Sequence, residues 1–127
     1  MGASSHEAVG MELDEMHELL LAQRGATDDM PFGPDTAVYR VGGKMFALIG
    51  LERMPRQVNL KCDPERAVEL RERYPDGVLP GYHMSKKHWN SVLLDGTVPR
   101  AVVIELVEHS WQLVFGSLTG AARAEIE

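Results

Sequence analysis

The chain has 127 residues, 44% hydrophobic and 25% charged, with a formal net charge of −6. That composition belongs to an ordinary folded domain able to bury a two-layer core, and it excludes the disordered and fibrous classes. The single cysteine, Cys62, leaves no internal disulfide and no thiolate zinc set.

From Met11 to Gly25 the apolar residues Leu13, Met16, Leu19 and Leu20 recur at helical spacing. Glu12, Asp14, Glu15 and Glu18 occupy the other faces and favour the helix N-terminus, and Gly25 stops the helix. Asp28 to Asp35, "DDMPFGPD", is broken by two prolines and a glycine and predicts a loop whose Phe32 tucks into the core. "AVYRVGGKMFALIGL" holds two β-type runs around Gly42-Gly43, a hairpin pattern because glycines supply the positive φ of tight turns. "RQVNLKC" alternates Val58, Leu60 and Cys62 against Gln57, Asn59 and Lys61, as a strand with one buried and one wet face does.

Asp63 stands at an N-cap position, Pro64 at the first helical position, and Ala67, Val68, Leu70 and Arg71 continue a short helix that "YPDG" ends. "HWNSVLLDG" predicts another strand closed by Asp95-Gly96, with "YHM" as a short strand before it. Thr97 and Pro99 open a long helix in which Val103, Leu106, Val107, Ser110, Leu113, Val114 and Leu118 form one stripe, ending near Gly120. The expected fold class is therefore α+β: a two-layer sandwich, an antiparallel sheet with helices on one face, in the order α-β(3)-α-β(2)-α. Residues 1–10 are expected as a disordered lead or cloning remnant, 11–120 as a single domain, and 121–127 as a flexible tail. No apolar run approaches the ~20 residues that span a bilayer, and the N-terminus lacks the blocks of a signal peptide, so a cytoplasmic protein with no membrane partner is expected.

The sequence resembles the MmcQ/YjbR family of small bacterial proteins through five stretches. These are "MPFGPD" (Met30 to Asp35), "VGGKMFALI" (Val41 to Ile49), "VNLKCDPERAVELRERYP" (Val58 to Pro75), "PGYHMSKKHWNSVLLDG" (Pro80 to Gly96) and "LVEHSWQLV" (Leu106 to Val114). The match runs from about Leu13 to Leu118, and Trp111 stands where many relatives carry Tyr. The resemblance implies the α-β(3)-α-β(2)-α sandwich of secretion-chaperone-like folds. It also brings the label "DNA-binding" that members carry by analogy.

Charge is unevenly spread. Residues 1–35 hold eight acids against one Arg, and residues 40–100 hold eleven Lys/Arg against seven acids. Cations neutralise phosphates and aromatic or imidazole rings stack on bases. The candidate nucleic-acid-binding residues are accordingly Lys44, Arg56, Lys61, Tyr82, His83, Lys86, Lys87, His88 and Trp89, on an open basic sheet face. The competing reading of the same residues makes Trp89 a packing anchor and the lysines a solvated turn.

Catalytic residues, cofactors and metal ligands are not expected. His83 and His88 are five apart, the spacing of neither a helical nor a strand ligand pair, and "HExxH", "CxxC", "GxSxG" and a full phosphate loop are absent. Ser85, Ser91 and Asp95 lie near the histidines in sequence, which does not establish a triad. Cys62 reads as buried packing. The expected function is a non-enzymatic DNA-binding protein. The alternative is a protein–protein or ligand-binding module without a nucleic-acid role. The expected partners are DNA, or a protein or peptide segment, and the expected state is a monomer or weak homodimer.

Overall fold

The computed structural model describes residues 10–81 and 84–126; the expected lead over residues 1–9 and the candidates Tyr82 and His83 lie outside the described residues. The elements run α1 (Leu13–Leu21), β1 (Ala26–Asp29), β2 (Thr36–Val41), β3 (Lys44–Gly50), β4 (Gln57–Lys61), α2 (Pro64–Arg73), β5 (Val78–Pro80), β6 (Trp89–Leu93), α3 (Arg100–Ser117) and α4 (Gly120–Ile126). The strands form one antiparallel sheet of six in the order β1-β2-β3-β4-β6-β5, an α+β fold.

Local chemistry accounts for most of these elements. Gly42 and Gly43 have φ of 59° and 81°, so the β2–β3 connection is the two-residue turn its glycines suit. The Asp63 side chain accepts a hydrogen bond from the Arg66 amide at 3.2 Å, and Pro64 fills the first position of α2. Met16 and Leu20 of α1 and Val103, Leu106, Val107, Ser110 and Val114 of α3 are buried, so both stripes face the sheet.

Residues paired across strands share a face, and one row, Tyr39–Ala47–Leu60–Asn90, looks toward the helices. Ala37, Ile49, Val58, Val92 and Val78 join it in the core. The register shifts between Tyr39 and Arg40, which pair with Ala47 and Met45 respectively, leaving Phe46 as an extra residue in β3. This bulge turns Phe46 and Ala47 inward together, both fully buried, and sends Met45 and Leu48 to the opposite face. The Ser110 hydroxyl, in the middle of α3, donates to the Phe46 carbonyl and ties the helix to the bulge.

The structure adds to the expected order. Ala26–Asp29 forms an edge strand where a helix end and loop were expected, with Asp28 and Asp29 exposed. The strand beside β6 is Val78–Pro80. Residues 121–126, expected within a flexible tail, belong to α4, and Ile126 lies so close over Gly25 that a Cβ there would sit 2.7 Å from its Cγ2. Phe32 is 66% exposed rather than in the core. Among the described residues no helix is long and apolar enough to cross a membrane.

Candidate functional site

The face of the sheet turned away from the helices carries a second row, Asp29–Val38–Leu48–Asn59–Ser91–Leu79, drawn from all six strands. A bare sheet face would leave such residues wet, yet Val38 is fully buried and Ser91 is 4% exposed. A groove of about 550 Å³ opens over the centre of this face. Met45, Leu48 and Asn59 form its floor, and three connections wall it: Phe32 and Asp35 from β1–β2, Glu52 and Arg53 from β3–β4, and Met84 from β5–β6. Pockets of this size, mostly apolar with a few polar groups, are the usual form of small-molecule sites.

At the floor, the Ser91 hydroxyl donates to Asn59 Oδ1 at 2.6 Å. The acceptor end of the Asn59 amide is thereby engaged, and its NH2 group is the part left to bond an occupant of the groove. Asp35 and Glu52 set two carboxylates against the one guanidinium of Arg53 at the rim. Arg40, which shares this face, is held by Asp29 in a 3.0 Å ion pair.

A hollow of about 710 Å³ between α2 and α3 is larger but lined mostly by charged side chains. Arg66 pairs with Glu105 at 3.0 Å, and the Arg73 guanidinium lies 5.7 Å from the Tyr74 ring centre. Its lining is mostly charged and its furrow open, so the smaller, more apolar groove is the better candidate.

The residues singled out for nucleic acid are brought together only in part. Lys61 lies on the outer face with its Nζ 6.0 Å from the centre of the Trp89 ring, its partner in register. Lys86, Lys87 and His88 are exposed on the turn just before Trp89. That turn is pinned twice: Arg71 Nη2 donates to the Lys86 carbonyl at 3.0 Å, and the Cys62 amide donates to the His88 carbonyl at 2.8 Å. Lys87 shares a shallow hollow on α2 with Glu65, Glu69 and Arg71. Trp89 is only 6% exposed and offers no free ring face for a base.

The remaining cations lie elsewhere. Lys44 points to the helix layer, 3.4 Å from Ser117 Oγ. Arg56 donates to the Leu51 carbonyl at the opposite end of β4 from Lys61. The lysines thus sit at one end of the sheet and on its turn, and the platform across the open face is replaced by a groove with an acidic rim.

Cys62, Asp95 and His109 are each shielded by burial or engaged by a neighbour. Burial pushes the Cys62 thiol up to about 11, with Arg66 drawing it partly back. Asp95 is held below the usual carboxylate range by the Thr97 hydroxyl, which donates to it at 2.6 Å. His109 Nε2 accepts the Asp63 amide at 3.3 Å, and burial, then Arg66, holds its pKa down. The groove residues Phe32, Met45, Leu48, Asn59 and Met84 escaped the sequence reading as a set. Only the wet-face position of Asn59 in "QVNLK" signalled any of them.

Fold and site together define a small α+β sandwich whose helix-free face is walled by loops into a groove. Residues 21–113 match the YjbR family, and the chain belongs to that family. It is 41% identical over 88 residues to the uncharacterized protein YbdF of Escherichia coli O157:H7, covering 69% of this chain and 71% of YbdF. Over 102 residues it is 31% identical to the uncharacterized protein YjbR of Escherichia coli K12, covering 80% of this chain and 86% of that one. The crystal structure of protein DR2400 from Deinococcus radiodurans superimposes with a TM-score of 0.85 at 36% identity, covering 94% of this chain and 89% of that one.

Proposed function

We propose that this YjbR-family protein is a non-enzymatic binding module that holds a small, largely apolar molecule in the groove over its outer sheet face. The observation that carries the reading is the groove itself. It is a volume of about 550 Å³ with Met45, Leu48 and Phe32 as apolar contacts and the Asn59 amide at its floor. The flexible thioethers of Met45 and Met84 suit it to irregular apolar shapes. Support for a non-catalytic role is that the Ser91 hydroxyl is bonded to an amide rather than a histidine, and that the Cys62 thiol is buried. Strand addition by a peptide is less well supported, because β5 has three residues ending in Pro80 and the other edge, β1, has four with two exposed acids.

The test is titration with Nile red, a neutral apolar dye that brightens on leaving water. Wild-type protein is expected to bind it in a saturable manner, and Leu48→Glu, which places a charge on the groove floor, is expected to abolish that binding with folding intact. No saturable binding, or equal binding to the variant, would refute the reading.

Contact with a DNA backbone is a second reading, supported by Lys61, Lys86, Lys87 and His88 at one end of the sheet. Against it stand the neighbouring Glu65 and Glu69 and the burial of Trp89. Fluorescence anisotropy with duplex and single-stranded DNA at low salt decides it: phosphate contacts require binding that weakens steeply with salt and falls in the Lys86→Ala/Lys87→Ala variant.

A further inference from the structure

The rim of the groove carries more information than its volume. Asp35 and Glu52 are both exposed, and neither carboxylate is engaged by another described residue. They face the Arg53 guanidinium, while of the other cations on this face among the described residues Arg40 is paired with Asp29 and Lys61 lies toward the Trp89 ring. The Phe32 ring, 66% exposed, stands at the same rim, and an aromatic face attracts cations and disfavours anions. At the floor the situation is reversed: Asn59 Oδ1 is taken by Ser91, so the amide presents its NH2 donor and asks for an acceptor.

From this polarity we propose that the ligand of the groove is an apolar or aromatic amide bearing a cationic amine, with its carbonyl on Asn59 and its ammonium between Asp35, Glu52 and the Phe32 ring. The inference rests on the groove being a binding site and goes further by fixing the charge and direction of the ligand. Exposed carboxylates act through solvent, so the preference is modest and salt-sensitive.

Three compounds of matched shape test it: N-(4-aminobutyl)benzamide, N-pentylbenzamide and 5-benzamidopentanoate, which carry a positive, neutral and negative tail on the same benzamide. Dissociation constants are read by NMR titration of the full chain at low salt. The cation is expected to bind about three- to tenfold tighter than the neutral compound, and the anion weakest. In the Asp35→Asn/Glu52→Gln variant the cation and the neutral compound are expected to become equal. Equal binding of all three by wild-type protein, tighter binding of the anion, or a cation preference that survives in the variant would overturn the charge assignment and leave the groove reading standing. If none of the three binds while Nile red does, the ligand assignment falls and the groove reading stands; if Nile red also fails to bind, both fall.

Discussion

Replacing Ser110 by Ala tests how α3 holds the sheet in phase. Ser110 is fully buried and its hydroxyl donates to the carbonyl of Phe46, the extra residue of the β3 bulge. A bulge residue stands outside the regular ladder, so its carbonyl depends on such a partner. Leaving a buried carbonyl unsatisfied costs about 1–3 kcal/mol. Alanine returns about 0.5 kcal/mol through its better helix propensity. The net expected loss is about 1–2 kcal/mol, which for a domain of this size lowers Tm by about 3–5 °C per kcal/mol. Urea denaturation should show a lower midpoint with an unchanged slope. Ser117→Ala, at the exposed end of the same helix, gains the same propensity without orphaning a buried group, and is expected to stay within about 0.5 kcal/mol of wild type. A Ser110→Ala midpoint equal to or above wild type would refute the clamp.

Two further perturbations act on a buried phenol and on a guanidinium that pins a turn. Tyr39 is 1% exposed, its hydroxyl lies 2.8 Å from His17 Nδ1, and burial, then the Asp28 charge, pushes its pKa up to about 12. Because the folded pKa exceeds the unfolded value of 10.0, this group's contribution is intact below pH 10 and is lost as pH rises toward 12; ultraviolet titration should show a late tyrosine that Tyr39→Phe removes, and a single transition near 10 for all tyrosines would contradict it. Arg71→Ala removes the bonds from Nε to the Ala67 carbonyl and from Nη2 to the Lys86 carbonyl, so trypsin should cut native protein faster after Lys86 and Lys87, and an unchanged rate would mean the turn is held by other contacts.

Most of the layering was legible because it is periodic. The stripe of α3, the inward Val58 and Leu60 of "QVNLK" and the Gly42-Gly43 turn each follow from one local rule, whereas Gln57, expected on the wet face, is buried. Strand β1 was not legible, because Ala26–Asp29 offers no apolar alternation and owes its form to backbone pairing with β2. The bulge at Phe46 hid the outer face: strict alternation from Met45 would put Leu48 in the core, whereas the extra residue reverses the phase and delivers it to the groove. A large aromatic such as Phe32 favours the core, yet its loop leaves it at the groove rim. The lysines of "SKK" drew attention through proximity in sequence, yet Lys87 answers to α2 and Lys44 to α3.

The roofing of the outer face by three connections has a consequence for how the family can diversify. Phe32, Glu52 and Met84 belong to loops, while the helix-side core is filled from strands and helices. Exchanges among the wall residues change what the groove accepts at little expense to folding. On the proposed binding role, proteins sharing this scaffold would differ in ligand while remaining superimposable, and a ligand found for one member should be tested afresh in the next.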